Sequence, residues 1–461
     1  MQNQIDYAGL TLDRMTGMEI GDCPCGRRHE VPTREIALGA GALDRLPEMA
    51  GRWIGRGPIL LVVDSNTLGA GGDRARTLLA GTGYDVVLHR SDAREATVHA
   101  DGETVAELSE TIRRTAPAGV LAVGAGTIND ICKAAATDAK LPLITVATAA
   151  SMNGYTSAIT ALTLNGLKVT APCLPPVAVI ADPEILATAP QAMNAAGFGD
   201  LLSKNASTAD WVMSHFLLGD YFCEVPVRVV EKAVEACIRH AGGIRKNDEN
   251  SLAVLSEALL RSGISMVLAG SSSPASGGEH LISHLWDMTA HWSGRSPALH
   301  GAQTGVTTLL SLALYERLLE LDETAIRAID ARPAFASEED LDAELGETFR
   351  DLAPSILPEA RRKYMNAEDL NHRRELILAQ WEAIREAVGK VVIPSRTSRR
   401  HLEAAGGAVT SKALGISPEI LRFAFRNARW IRNRYTVLDL AAEIGVLDDW
   451  MEGVIAEANI E

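Results

Sequence analysis

The sequence predicts a two-domain chain: an α/β domain on a parallel sheet over residues 1–187, then an all-helical (all-α) domain over 188–461. Three observations carry that expectation. Between residues 33 and 187, short apolar runs such as ILLVV and VLAVG alternate with helical stretches. Strands that are apolar throughout are buried on both faces, as in a parallel sheet covered by helices. Beyond ADPEILATAP, helical periodicities dominate and β-branched runs become few. The 461 residues, 47% hydrophobic and 22% charged, also supply enough apolar surface for two cores.

The elements follow in order. TREIALGAGALDRLPEMA reads as strand, glycine turn and helix, and GPILLVVDSNT as an apolar strand ending on Asp64. An Ala/Leu/Arg helix leads to the strand YDVVLHR, and residues 101–116 form an amphipathic helix. GVLAVGAGTIND runs from strand into a glycine turn, NDICKAAATDA continues as helix, and LPLITVAT is the next strand. TSAITALTLNGLKVTAPCLPPVAVIADPEIL carries prolines and a glycine that interrupt helix, so a small antiparallel element is expected before a last strand, VAVIAD. No internal repeat or low-complexity tract is evident.

Composition excludes several function classes. A formal charge of −15 argues against a nucleic-acid partner, which needs concentrated Lys and Arg. The short basic clusters SRTSRRH and RNARWIRNRY read as solvated helix faces or ion pairs. No run approaches about 18 uninterrupted apolar residues, so no membrane span is expected. MQNQIDYAGLTLDRM lacks a signal-peptide pattern, and six scattered cysteines do not form a disulfide framework, which together indicate a cytoplasmic protein. CPCGRRH groups Cys23, Cys25 and His29. A structural zinc takes four ligands and no fourth lies nearby, so the segment reads as a polar turn before the first strand.

Two sets of residues carry chemistry. In VLAVGAGTIND, Gly124 and Gly126 let backbone approach a pyrophosphate at a helix N-terminus, although Asn129 departs from the GxGxxG spacing. Asp64 ends the preceding strand of the sheet, where a carboxylate can bond ribose hydroxyls and favours NAD over NADP. TVATAASMNGYTS adds a loop of small hydroxyl residues. Farther on, SGGEHLISHLWDM places His280 and His284 one turn apart on one helix face, and ALHGAQTGV places His300 where a new helix begins. Asp200 lies in GFGDLLSKNASTADW. Two imidazoles and a carboxylate make a divalent-metal site with room for substrate, and spacing alone leaves open which histidines ligate. Zinc leads among the cations, with iron and nickel as alternatives.

These pieces occur together, in order, as GxGTxxD, TxxSMxGYTS, GDLLSK, PASGxEHxxSH and LHGxxxGV. On those motifs the chain resembles the glycerol-1-phosphate dehydrogenases, particularly the bacterial type. That family sits among the iron-containing alcohol dehydrogenases, glycerol dehydrogenase and dehydroquinate synthase. The resemblance implies a Rossmann-like domain, a helical domain, and an active site in the cleft between them, as in the dehydroquinate synthase-like architecture. It implies Asp200, His280 and His300 as metal ligands and His284 as the substrate-binding, proton-relaying residue. Asp64, Gly124, Gly126, Thr127, Asn129, Asp130, Thr148, Ser151 and Ser157 match the cofactor contacts. Asn153 stands at the family's substrate-contact position, and Asp200 is expected to serve catalysis and substrate binding as well as the metal. Lys204, one turn beyond Asp200 on its helix, is a further substrate-binding candidate that faces either the same cleft or solvent.

The implied activity is reversible oxidation of sn-glycerol 1-phosphate to glycerone phosphate with NAD or NADP. The partner is thus a small phosphorylated polyol or ketone, and the helical domain can support a homodimer. Two departures bear on substrate: Asn153 stands where the family usually has aspartate, and Ser273 stands where it commonly has arginine. They favour, as an alternative, a related dehydrogenase of another phospho- or phosphono-polyol. A lyase resembling dehydroquinate synthase ranks lower, because Asp200 stands where that enzyme carries a glutamate.

Overall fold

The computed structural model describes residues 6–92, 98–164 and 167–461. The chain divides into two compact units. The first comprises Met1–Leu201, Cys223–Ser272 and Ala404–Gly407; the second comprises Leu202–Phe222, Ser273–Glu403 and Ala408–Glu461.

In the first unit, after the short helix Leu12–Met15, two short strands, β1 (Glu19–Ile20) and β2 (His29–Glu30), pair antiparallel. Its main sheet contains β3 (Glu35–Leu38), β4 (Ile59–Val63), β5 (Val86–Arg90), β6 (Gly119–Gly124), β7 (Leu143–Ala147) and β10 (Ala178–Ala181). Between β7 and β10 lies the expected antiparallel hairpin, β8 (Ile159–Leu164) with β9 (Leu167–Pro172). Its tip, residues 165–166, and the first five residues of the chain lie outside the described residues.

The six-stranded sheet is parallel throughout, in the order β3-β10-β7-β6-β4-β5. Alternation along each strand divides the buried side chains between two faces. Leu61, Val63, Leu121, Val123, Ile144 and Val146 pack against Leu46, Met49 and Ala50 of the helix Leu46–Trp53. Leu60, Val62, Val120 and Ala122 pack on the other face against Leu108, Ile131 and Ala135. Each such aliphatic side chain stabilises the fold by about 1.5–3 kcal/mol when fully buried.

The helix Glu249–Ala269 also belongs to this unit. It is long and apolar enough by composition to cross a membrane, with mean hydropathy 1.6, yet 78% of that stretch is buried inside the protein. Arg261, near its middle, donates to the carbonyls of Val229 and Leu10 at 3.2 and 2.6 Å, as suits a core helix.

The second unit is helical among its described residues. At its centre the helix Gly278–Met288 packs on the helix His300–Leu319, in which Leu309, Leu310, Leu312 and Leu314 are fully buried.

Candidate active site

In the first unit, the sheet order sets three loops side by side. Thr148 follows β7, Gly124 closes β6 and Asp64 follows β4. β5 lies outward of β4, whereas β7 and β10 continue on the far side of β6. The strand order therefore reverses between β4 and β6, and open parallel sheets bind ligands at the carboxyl edge of such a switch point.

The helix Gly126–Ala139 begins at that edge. Its N-cap, Ala125, is extended and supplies no side-chain cap, so the first amides offer donors to an anion, with Thr127 exposed beside them. Packing adds a second reason for the glycines. A Cβ on Gly124 would stand 2.5 Å from Ile128 Cβ, and one on Gly126 would stand 3.3 Å from Met152 Cγ.

The Asp64 carboxylate sits at the end of its strand, but Oδ1 already accepts the amides of Asn66 and Thr67 at 2.9 and 2.8 Å. Other side chains implied as cofactor contacts are engaged internally. Asn129 is fully buried and accepts the Thr145 hydroxyl at 3.1 Å. Asp130 accepts the Ala161 amide at 3.3 Å and pairs with Lys133 at 3.4 Å. Ser157, also fully buried, donates to carbonyls of Gly154 and Ile159 at 3.0 Å. These bonds hold the glycine turn and the 151–157 loop in place. Thr148 is buried, with its amide on Gly124 O at 3.2 Å, and Ser151 is half-buried.

The same unit holds Asp200 and Asn153 against each other. Asp200 is fully buried and accepts the Asn153 amide at 2.9 Å through Oδ2 and the Asn153 side-chain amide at 3.2 Å through Oδ1. Two glycines allow that approach. A Cβ on Gly197, one turn before Asp200, would stand 1.9 Å from the Ala150 carbonyl oxygen. A Cβ on Gly263 would stand 2.1 Å from Thr156 Oγ1 and 2.8 Å from Asn153 O. The loop is thus wedged between two helices, and Thr156 Oγ1 donates to Leu260 O at 2.6 Å. A Gly197→Ala variant is expected to lose about 1–3 kcal/mol of stability and to misplace Asp200. Thermal unfolding and kcat/KM both report on it, and wild-type values for the two would contradict this packing account.

Lys204 departs from the sequence expectation. The helix carrying Asp200 ends at Leu202, and Lys204 opens the following helix, Lys204–Leu218, after Ser203. It is buried rather than solvent-facing, and Nζ donates to Ala275 O at 3.5 Å.

In the second unit three imidazoles converge. His280 and His284 stand on the helix Gly278–Met288 with ring centroids 5.9 Å apart. His300, the first residue of its helix, lies 5.2 Å from His280 and 5.7 Å from His284 between centroids. His280 and His284 are buried, and His300 is half-buried.

Glu279, absent from the sequence-based candidates, orients this cluster. It is fully buried, and its Oε1 lies 2.7 Å from His280 Nδ1 and 2.8 Å from the Gly277 amide. A carboxylate only accepts, so Nδ1 carries the proton and Nε2 keeps the lone pair a cation requires. The Thr307 hydroxyl donates to Glu279 O at 2.7 Å and ties the two histidine-bearing helices together.

Asp210 supports the turn beneath. It accepts the amides of Gly278 and Val437 at 2.7 and 2.8 Å and the Tyr315 hydroxyl. Burial raises the Asp210 carboxyl above its ordinary range, and the charge of Glu279 adds to this. Arg434 donates to Ser276 O, and its guanidinium is depressed by burial against the opposing pull of Glu279 and Asp210. Glu279 adjoins a motif histidine, which was the available signal. Asp210, Tyr315 and Arg434 reach the turn from distant segments and gave none.

Residues 37–190 match the family model described as iron-containing alcohol dehydrogenase. The chain is 32% identical over 421 residues to a glycerol-1-phosphate dehydrogenase [NAD(P)+] of Halalkalibacterium halodurans, covering 90% of this chain and 94% of that one. It is 33% identical over 326 residues to the enzyme of the same name from Pyrococcus furiosus, covering 71% and 91% respectively. Among solved structures, a probable glycerol dehydrogenase from Sinorhizobium meliloti shares the fold, with TM-score 0.59 and 16% identity over 91% of this chain and 97% of that one.

Proposed function

The chain belongs to the glycerol-1-phosphate dehydrogenase family, and on that premise we propose that it interconverts sn-glycerol 1-phosphate and glycerone phosphate with NAD or NADP and one divalent cation. The observation that carries the reading is the convergence of His280, His284 and His300, with Glu279 fixing the tautomer of the first.

Asp200, His280 and His300 offer one carboxylate and two imidazoles, a donor set that suits zinc and also accommodates iron or nickel. The cation, when bound, would supply positive charge to the reacting oxygen, and NAD or NADP would supply or accept the hydride. The chain's own residues prepare and serve that chemistry. Glu279 holds the His280 ring, and Asn153 aims both oxygens of Asp200 before substrate arrives. The uncapped amides at Gly126 and Thr127 take the pyrophosphate, Asp64 takes the adenosine ribose, and Thr148 and Ser151 line the crossing. His284, buried among the imidazoles but outside the ligand set, passes the alcohol proton towards solvent. The Lys204 ammonium offers a positive charge to the substrate phosphate.

The test is NADH oxidation by purified, metal-loaded protein against a panel of ketone phosphates and phosphonates. Turnover of glycerone phosphate is expected. Rapid use of another ketone with none of glycerone phosphate would overturn the substrate assignment.

Asn153 refines the expectation. An Asn153→Asp variant replaces a donor by a like charge beside Asp200, so substrate preference across the panel is expected to shift severalfold. An unchanged ranking and unchanged kcat/KM would show that the departure at this position is silent.

A further inference from the structure

The cysteine turn near the N-terminus gains in the fold what the local sequence lacked. Cys23, Cys25 and His29 are joined by Cys223, 200 residues beyond Cys23, and one donor atom from each lies within 4.8 Å of the others. All four residues belong to the first unit. We propose that they form a tetrahedral structural zinc site, separate from the catalytic cation and assigned no role by the dehydrogenase reading.

The distances have the scale of a tetrahedron. Zinc bonds of about 2.3 Å to sulfur and 2.0–2.1 Å to nitrogen place two sulfurs about 3.8 Å apart and a sulfur and a nitrogen about 3.5 Å apart. Cys23 Sγ and Cys223 Sγ are 3.6 Å apart. His29 Nε2 lies 3.2 Å from Cys25 Sγ and 3.7 Å from Cys223 Sγ. A disulfide between Cys23 and Cys223 would need about 2.05 Å and would leave Cys25 and His29 without a purpose.

The surroundings are those of a built site. His29 Nδ1 is 2.6 Å from Leu268 O, so Nδ1 carries the proton and Nε2 presents its lone pair to the sulfurs. The amides of Cys25 and Val225 donate to the sulfurs of Cys23 and Cys223. Such bonds steady thiolates. Cys23, His29 and Cys223 are buried, and Cys25 is half-buried. Three cysteines and one histidine fill a tetrahedral shell, so no position stays open for substrate and the role is structural.

There is a physical need for such a staple. β1 and β2 share only two residue pairs, too few to hold a hairpin by themselves. The zinc would pin that segment to Cys223, at the start of the helix Glu224–Arg239, and through His29 to the end of the helix Glu249–Ala269. The latter helix also carries Gly263, against which the Asn153 loop is wedged. The staple thereby supports the loop that aims Asp200, from a distance.

Cobalt(II) substitution of the full-length protein tests the proposal, because a thiolate-rich site gives an intense sulfur-to-cobalt charge-transfer band and an Asp-His-His site gives none. The band is expected in the wild type and in Asp200→Ala, and in Cys237→Ser, whose cysteine lies elsewhere in the same unit. Its intensity is expected to fall by about a third in Cys25→Ser and in Cys223→Ser, each of which removes one of the three thiolates. Absence of the band from the wild type, or its undiminished intensity in both ligand variants, would overturn the site. Should those variants fail to fold, the wild type alone decides. Mercurial titration of its thiols should release zinc to a chromogenic chelator, whereas zinc-free protein with a Cys23–Cys223 disulfide contradicts the proposal.

Discussion

His280→Ala is expected to lose the catalytic cation and to lower kcat by about 10³-fold or more, since the charge developing on the reacting oxygen then lacks its stabiliser. The substitution also leaves Glu279 buried without its imidazole partner, so a modest fall in stability accompanies the loss. Metal content and steady-state rates check both parts. Full occupancy with wild-type rates would remove His280 from the ligand set. Glu279→Gln gives a graded version. It keeps the shape and weakens the hold on the His280 tautomer, and a loss of about 10–100-fold in cation affinity is expected.

His284→Ala is expected to behave differently. The cation should stay, while kcat falls by about 10²–10⁴-fold, the usual range for a lost general acid–base group. The pH dependence of kcat should lose the limb contributed by an imidazole, a change that mere loosening of the fold would not produce. If His284→Ala instead emptied the cation site as His280→Ala does, His284 would be a ligand. The helical spacing of the two histidines never excluded that, because both lie on one face of the same helix one turn apart. Glu279 fixes the tautomer of His280 through Nδ1 at 2.7 Å, and the metal content of the two variants decides between the roles.

Much of the fold was legible in the sequence because its strands are short, apolar throughout and bounded by glycine turns. ILLVV and VLAVG became β4 and β6 at the centre of the sheet, and the interrupted TSAITALTLNGLKV segment became the β8–β9 hairpin. Periodicity does not reveal which helices pack beside the sheet, so the inclusion of 223–272 in the first unit was invisible. The break at Ser203 was invisible too, because both flanking segments are good helix formers and Ser203 itself keeps helical angles, with φ −60° and ψ −18°.

The candidate site was legible where chemistry and spacing coincide, as in the paired histidines of EHLISH. It was illegible where partners are brought together by folding alone. Cys223 lies 200 residues from Cys23, and Tyr315 reaches Asp210 from 105 residues away. Side-chain function at the sheet edge was the hardest to read. A motif names Asn129 and Ser157 without saying that their polar atoms are turned inward, and only burial shows it.

A cation held by Asp200, His280 and His300 is proposed to enable a nicotinamide-linked reduction of glycerone phosphate. The most direct measurement strips the labile metal with a chelator, then follows NADH oxidation with glycerone phosphate before and after zinc, iron(II) or nickel is returned. Activity is expected to disappear on stripping and to return with at least one of these ions, with sn-glycerol 1-phosphate as the product. Undiminished turnover in protein whose Asp-His-His site is shown to be metal-free, or formation of the 3-phosphate enantiomer alone, would contradict it.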